Sequence, residues 1–97
     1  MLFDKKWGLD EVGMLLLAAA DYMEEHGWCQ GAYTRDGKVC LIGALKEVSS
    51  DNFEMSMIRL QKAIPFDKAI PHWNDDVCKS KEGAVAKLRE AAWLRDI

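Results

Sequence analysis

Apolar residues recur every three or four positions along the first third of the chain, which predicts an amphipathic helix. Asp10 stands directly before this run and is typical of an N-cap, whose side chain accepts from a free N–H group of the first turn. Gly27 follows the run and is typical of the left-handed residue at which many helices end. The positions predicted to form the buried stripe are Val12, Leu15, Leu16, Ala19, Tyr22 and Met23.

The regular spacing stops after Gly27, and a turn signal follows at Asp36-Gly37. Asp-Gly supplies the positive φ angles of a tight turn, so residues 31–34 and 38–41 are predicted to form two short antiparallel strands. An isolated two-stranded hairpin is only marginally stable in water. We therefore expect the hairpin to pack against helices.

Helical spacing returns after the hairpin, where the apolar residues between Leu41 and Val48 predict a short second helix. Gly43 lies inside this helix, although glycine costs about 1 kcal/mol relative to alanine at such a position. A helix or strand that approaches closely at Gly43 would offset this cost, and we expect such a contact.

Two further helices are predicted in the second half of the chain. Asp51 is the predicted N-cap of the third helix, with Glu54 completing a capping box and Pro65 ending the helix. Residues 65–79 hold both prolines of the chain and are predicted to be irregular. Ser80 is the predicted N-cap of the last helix. The buried side of that helix is predicted to consist of Val85, Leu88, Ala91, Ala92 and Trp93.

The pattern as a whole predicts an α+β fold that is mostly helical, with about four helices and a short β-hairpin after the first. A length of 97 residues suffices for one hydrophobic core but not for two. No linker or low-complexity tract divides the chain, so residues 1–97 are predicted to form a single domain. Residues 1–8 are predicted to be a short lead-in that packs on the edge of this domain.

Charge and cysteine content narrow the classes of partner and compartment. The net charge of −3 comes with scattered basic residues, which argues against direct nucleic-acid binding and against a membrane surface. The longest apolar run, Met14 to Ala20, is too short to cross a membrane, and the first residues do not resemble a signal peptide. Three cysteines without close pairing suit a reduced compartment, so a cytoplasmic protein is expected.

The central and final parts of the sequence carry motifs that resemble those of a protein family. The motifs are Gly27-Trp28, Gln30-Gly31-Ala32-Tyr33, Gly43-Ala44 and Trp73-Asn74-Asp75. They resemble a family of small uncharacterised proteins found in bacteria, many of them actinobacteria, and in their phages, and the likeness covers roughly residues 10–95. The chain departs from the family where residues 76–80 replace an expected Pro-Gly-Arg-Thr run. The resemblance implies the architecture and a phage or prophage origin, and it carries no activity.

A thiol hydrolase is one activity that the sequence permits. Cys40 near the start of a helix would have its pKa lowered by the helix dipole, and His72 with Asn74 or Asp75 would activate and orient it. Gln30 would then contribute to an oxyanion site. No family-specific signature surrounds Cys40, and a free cysteine among aliphatic residues is usually a small buried hydrophobe. Cys40 and His72 are thus catalytic candidates in a chain that we expect to be non-enzymatic.

A metal site is the second chemical alternative. Its candidate ligands are of types that suit zinc, but structural zinc sites normally show closely paired ligands, and that spacing is missing here. The candidates are Cys29, Cys40, Cys78, His26 and His72. The competing interpretation is three reduced thiols and two capping or surface histidines, so neither a metal nor a cofactor is predicted.

Aromatic and amide side chains near the hairpin and in the 65–79 segment favour a binding site. The competing interpretation is structural, with the tryptophans as core residues and the Asn-Asp pair as a turn that anchors the segment. The sequence leaves both open. The predicted binding residues are Trp28, Gln30, Tyr33, Arg35, Trp73, Asn74 and Asp75.

Protein binding is the function that the sequence favours. Tryptophan, methionine, tyrosine and arginine are enriched at interfaces and their hot spots, and an acidic chain suits docking on a basic site of a host complex. We expect a small intracellular non-enzymatic interaction or inhibitory protein of phage or mobile-element type that blocks a host protein, such as a defence complex. The alternatives are a small-molecule-binding domain and a cysteine-dependent hydrolase, and the oligomeric state is open.

Overall fold

Residues 10–49 and 51–94 are described in the computed structural model. The elements along them are α1 (Glu11–His26), β1 (Thr34–Arg35), β2 (Lys38–Val39), α2 (Leu41–Val48), α3 (Phe53–Ala63), α4 (Ile70–His72), the π-helical turn (Trp73–Val77) and α5 (Lys81–Ala92). The mostly helical architecture with a hairpin after the first helix is confirmed. The described residues form five α-helices rather than about four.

Both predicted ends of α1 are confirmed. The Asp10 carboxylate accepts a 2.8 Å hydrogen bond from the N–H group of Gly13. Gly27 adopts a φ of 105°, and its N–H group donates to the carbonyl oxygen of Met23. Asp10 also accepts two hydrogen bonds from the Arg59 guanidinium, at 2.8 and 2.6 Å, which join the start of α1 to α3. The predicted lead-in, residues 1–8, lies outside the described residues.

α1 is the central helix, because α2, α3 and α5 all pack against it. The predicted buried side of α5 is confirmed except at Trp93, which is 48% exposed because α5 ends at Ala92. No helix in the two described ranges is long and apolar enough to cross a membrane. The largest fully buried apolar side chains are Leu16, Met23, Leu41, Leu45, Leu60 and Leu88.

The hairpin forms around the predicted turn. Asp36 and Gly37 have φ angles of 54° and 85°, and the two strands pair in antiparallel register. The strands are shorter than predicted, since the backbone bends at Gly31 with a φ of 80° and Cys40 serves as the N-cap of α2.

The segment between α1 and β1 runs beside β2 through a short parallel bridge between Trp28 and Val39. The N–H group of Val39 donates to the carbonyl oxygen of Gly27, and its carbonyl oxygen accepts from the N–H group of Cys29, both at 3.0 Å. This bridge fixes residues 27–29 against the hairpin.

Gly43 confirms the predicted close approach to α2. A Cβ atom at this position would clash with the carbonyl oxygen of Tyr33, so only glycine lets the hairpin backbone lie directly against α2. The same Tyr33 carbonyl accepts a 3.0 Å hydrogen bond from the N–H group of Cys40. The backbone leading into β1 is therefore held against the first turn of α2.

The predicted cap of α3 is wrong by one residue. Asn52, not Asp51, occupies the N-cap position, and its side chain makes no capping hydrogen bond. The Asn52 amide donates instead to a glutamate of α1 at 3.3 Å. With the cap one residue later, Glu54 no longer has the spacing that the predicted capping box requires. The predicted end is confirmed, since α3 stops before Pro65.

The segment 65–79 was predicted to be irregular, but it contains α4 and the π-helical turn. The N–H group of Cys78 donates to the carbonyl oxygen of Trp73 at 2.8 Å. Such wide turns are rare in proteins and often occur at functional sites. After the turn, the predicted Ser80 cap of α5 is confirmed by a 3.0 Å hydrogen bond from the N–H group of Gly83.

Candidate functional site

The buried side of the π-helical turn is organised around Asn74, which is 1% exposed. Its Oδ1 atom accepts from the indole N–H of Trp28 at 2.9 Å and from the backbone N–H of Leu41 at 3.1 Å. Its Nδ2 atom donates to the carbonyl oxygen of Cys29 at 3.1 Å and to Oδ1 of Asp75 at 2.9 Å. A side-chain amide has two donor hydrogens and two acceptor lone pairs, so the hydrogen-bonding capacity of Asn74 is fully used.

Asn74 also completes the N-terminus of α2. The first N–H groups of a helix have no partner inside the helix, and that of Leu41 finds one in Asn74. The sulfur atom of Cys40 accepts from the N–H group of Gly43 at 3.4 Å. Two side chains therefore cap α2, one from the residue before the helix and one from the π-helical turn.

Gln30 forms hydrogen bonds with backbone carbonyl groups of the π-helical turn and of Cys78. Its amide nitrogen lies 2.9 Å from the carbonyl oxygen of Asp75 and 3.2 Å from those of Asn74 and Cys78. Trp28, Gln30 and Asn74 thus form one set of contacts, the Asn74 network. This network ties the π-helical turn to the segment between α1 and β1.

Asp75 stands at the boundary between the Asn74 network and solvent. Its Oδ1 atom accepts from Asn74 and, at 3.0 Å, from the N–H group of Gly31. These two hydrogen bonds hold the pKa of Asp75 below its usual value, and the positive charge of Arg35 acts in the same direction. In the described part of the chain, Oδ2 of Asp75 makes no hydrogen bond. The carboxylate is therefore fixed and ionised, with one oxygen left for a ligand.

A cleft of about 260 Å³ opens beside Asp75, between residues 31–33, which lead into β1, and Pro71 of α4. Tyr33 stands at its rim with 54% of the residue exposed. Arg35 lies next to the cleft, with Nη2 3.5 Å from the position that a Cβ atom on Gly31 would take. The cleft is lined by Gly31, Ala32, Tyr33, Cys40, Pro71, Asn74 and Asp75.

The structure separates the predicted binding residues by their surroundings. Trp28 and Gln30 belong to the Asn74 network and do not line the cleft. Trp73 is 8% exposed, with the Lys87 ammonium 5.3 Å from its ring centroid. These three side chains have structural contacts that account for their positions. The predicted residues that line the cleft are Tyr33, Asn74 and Asp75.

Four of the lining residues were not predicted to bind: Gly31, Ala32, Cys40 and Pro71. Ala32 and Pro71 are small and apolar, so no chemical signal marked them, although each lies close in sequence to a predicted residue. Cys40 was predicted only as a catalytic or metal-ligand candidate. Its contribution to the cleft follows from the contact between Tyr33 and Gly43, which places the start of α2 behind the hairpin.

The thiol groups do not support the hydrolase alternative. Burial raises the pKa of Cys40, which is opposite to the lowered pKa predicted from the helix dipole. Burial also raises the pKa of Cys29, with the neighbouring Cys40 as a further cause. His72 lies 3.1 Å from the carboxylate of Asp76 through Nδ1. The described hydrogen bonds include none between Cys40 and His72, so a nucleophile–base pair is not formed.

The candidate metal ligands are dispersed among other contacts. The His26 ring stacks on Tyr22 with centroids 4.0 Å apart, and the Cys78 thiol donates to the carbonyl oxygen of Ser80 at 3.2 Å. Within residues 10–49 and 51–94, no three histidine, cysteine, aspartate or glutamate side chains are grouped as metal ligands.

The comparisons with known proteins bear on the family and not on the activity. The model of a family described as a family of unknown function (DUF6197) matches residues 9–93. This match confirms the resemblance to an uncharacterised protein family. No curated protein and no solved structure matches the chain.

Proposed function

The chain belongs to the DUF6197 family of unknown function, and we propose that it is a non-enzymatic binding protein whose cleft receives a side chain of a partner protein. The partner that we expect is a host protein inside the cell, such as a component of a defence complex, since the motifs resemble bacterial and phage proteins. In this role the protein acts by occupying a surface of its partner.

The observation that carries the proposal is the cleft beside Asp75. Its walls are fixed, because the Asn74 network holds the π-helical turn and the contact at Gly43 holds the hairpin. A binding site that is already ordered loses little conformational entropy when its ligand arrives. Tyr33 adds a half-exposed aromatic ring of the type found at interface hot spots.

The cleft is slightly smaller than the usual pocket for a small molecule. Pockets for small molecules usually measure roughly 300–1,000 Å³, whereas this cleft measures about 260 Å³. A single long side chain fits such a volume, and the rest of its protein would lie on the surrounding surface. A small-molecule ligand is therefore the second candidate, restricted to fragments of side-chain size.

Affinity capture with matched variants tests the proposal. Tagged wild-type protein is incubated with lysate of the cells that carry the gene, beside Tyr33→Ala and the control Met55→Ser. Tyr33 contacts α2 through its backbone, so its side chain can be removed without opening the fold. Met55 is a 49%-exposed apolar residue of α3, outside the cleft.

We expect a stoichiometric partner with wild type and Met55→Ser, reduced at least about tenfold with Tyr33→Ala, as for a hot-spot residue. Bound proteins are quantified by mass spectrometry. A partner retained equally by Tyr33→Ala, or no stoichiometric partner with the wild-type protein, would contradict the proposal.

A further inference from the structure

We infer that the side chain received by the cleft is basic, a lysine or arginine of the partner, and that Asp75 is its counter-ion. This inference rests on the proposed function and names the chemistry of the group that enters. Three features of the cleft support it: the unused oxygen of Asp75, the apolar wall, and the aromatic ring at the rim.

The Asp75 carboxylate is prepared to accept a cation. Its Oδ1 atom is held by Gly31 and Asn74, which orients the group, while Oδ2 has no hydrogen-bond donor among the described residues. Both hydrogen bonds also keep the carboxyl ionised. Ionised acceptors form hydrogen bonds roughly twice as strong as those of neutral groups, so a cationic donor gains most at this position.

The remainder of the lining suits the stem of a basic side chain. Ala32, Cys40 and Pro71 present small apolar surfaces beside Asp75. Lysine and arginine pack their methylene groups on apolar surface while the charged end reaches a polar group. A short acidic or purely polar side chain would leave this wall in contact with water.

Tyr33 shows that the rim of the cleft tolerates a positive charge. The ammonium of Lys46 lies 5.1 Å from the centroid of the Tyr33 ring, within the range of a cation–π contact. This contact shows that the ring attracts cations, but Lys46 also competes with a partner cation for it. Removing the charge of Lys46 should strengthen the binding of a second cation, because like charges repel.

The positive charges near the cleft define the opposing hypothesis. Arg35 and Lys46 would attract an anion instead of a cation. Arg35 acts on Asp75 through its charge, but the described ion pairs include none between the two residues. Since Asp75 lines the cleft and Arg35 does not, we place the cation in the cleft. Binding of an anion would show the opposite.

Small probes that isolate the charge test this inference. ¹⁵N-labelled protein is titrated with n-butylguanidinium, n-butylammonium, 1-butanol and butyrate, and backbone amide shifts are followed by NMR. The probes share a butyl-sized stem and differ in the end group. We expect the cations to shift the amides of Gly31 and Ala32 and to bind at least about fivefold more tightly than 1-butanol, and butyrate to bind most weakly.

Three variants assign the effect to Asp75. Asp75→Asn keeps an oxygen for Gly31 and Asn74 while removing the charge, and it should lower the affinity for n-butylguanidinium to that for 1-butanol. Lys46→Gln should raise the cation affinity about two- to threefold. Asp76→Asn removes a neighbouring exposed carboxylate that does not line the cleft, and it should leave the affinity unchanged. If Asp75→Asn does not fold, Lys46→Gln still decides the sign of the preferred charge.

The outcomes separate this inference from the proposed function. If 1-butanol and the cations bind equally at Gly31 and Ala32, or if butyrate binds best, the inference of a basic side chain is wrong. The cleft would still be a binding site. If no probe shifts these amides, the inference is overturned, and partner capture that is insensitive to Tyr33→Ala then overturns the proposed function separately. Cation binding that Asp75→Asn abolishes supports the inference.

Discussion

The buried and the open sides of the π-helical turn are built from adjacent residues, yet they use their polar atoms differently. On the buried side, both donor hydrogens and both acceptor lone pairs of the Asn74 amide form hydrogen bonds within the protein. On the open side, Asp75 has one oxygen engaged and one without a described donor. The first arrangement serves the stability of the fold, because buried polar groups are costly without partners. The second leaves binding capacity for another molecule.

Adjacent residues of an Asn-Asp pair next to tryptophans can therefore have different roles. Residue type alone suggests one binding site, since amides, carboxylates and aromatics are common in ligand pockets. The hydrogen bonds divide the pair between two roles. Trp28 and Gln30 form hydrogen bonds with Asn74 and stabilise the fold. Tyr33 lines the cleft together with Asp75.

Asn74→Ala should have the largest effect on stability. The substitution leaves the indole N–H of Trp28 and the backbone N–H of Leu41 without their acceptor, and each unsatisfied buried donor costs about 1–3 kcal/mol. We expect a loss of about 2–5 kcal/mol in the free energy of unfolding, measured by urea denaturation with circular dichroism.

The matched variant for this comparison is Tyr33→Ala, on the open side. Its side chain makes no described hydrogen bond, and the loss of stability should stay within about 0.5 kcal/mol, as for most surface substitutions. Equal losses for Asn74→Ala and Tyr33→Ala would show that the two sides do not differ as the hydrogen bonds indicate.

Gly43→Ala should have the next largest effect, because it separates the hairpin from α2. The added Cβ atom would clash with the backbone carbonyl of Tyr33, and overpacking of this kind costs about 1–3 kcal/mol. The loss is measured in the same urea experiment. Relative to the wild-type protein, amide hydrogen exchange should accelerate most at Cys40, because its N–H group donates to that carbonyl oxygen.

Gly83→Ala provides the control for the glycine substitution. Gly83 lies in the first turn of α5, where a Cβ atom would meet two side-chain atoms at 3.4 Å and no backbone. Alanine favours a helix over glycine by up to about 1 kcal/mol, so stability should stay equal or rise. A loss at Gly83 as large as that at Gly43 would mean that the clash with Tyr33 does not explain the result.

The sequence predicted the parts of the fold that local chemistry determines. The Asp10 cap and the Asp-Gly turn depend on residues close to one another in the chain, and both are confirmed. The close approach at Gly43 is also confirmed, because a glycine inside a helix needs a tertiary reason. The cap of α3 was wrong because Asp51 and Asn52 are both good capping residues, and side-chain chemistry alone does not choose between them.

The candidate site was less accessible from the sequence. The aromatic and amide residues were predicted to form one binding site. Only long-range contacts show that Gln30 donates to the π-helical turn and that Tyr33 lines the cleft. The turn itself has no strong local signal. Pro71 became part of the site through the packing of α4 against α2, and Ala32 through its neighbour Gly31, which donates to Asp75.

Acid pH should have the smallest effect on the free energy of unfolding. This effect should come from two carboxyl groups, those of Asp75 and Asp10. The pKa of each carboxyl is lowered in the fold, by hydrogen bonds from Asn74 and Gly31 for Asp75 and chiefly by the Arg59 guanidinium for Asp10. A lowered pKa contributes stability above the unfolded pKa of about 3.9, and this stability is lost as the pH falls through the folded pKa. Stability should therefore decrease below about pH 5.

Single substitutions assign this pH dependence to the two carboxyls. Asp10→Asn and Asp75→Asn should each reduce the slope of unfolding free energy against pH between about pH 5 and pH 2. The reduction should be larger for Asp10, which loses a bidentate pair with Arg59. The slope is measured by urea denaturation at a series of pH values.

The double variant tests whether the two carboxyls act independently. Asp10 precedes α1 and Asp75 bonds to Gly31 beyond its far end; at 1.5 Å per residue the helix between them is about 24 Å long. Effects at sites this distant normally add, so the double variant should lose the sum of the two single slopes. An unchanged slope in Asp75→Asn would show that Oδ1 contributes little to the fold, and the assignment of one oxygen to structure and the other to binding would then be wrong.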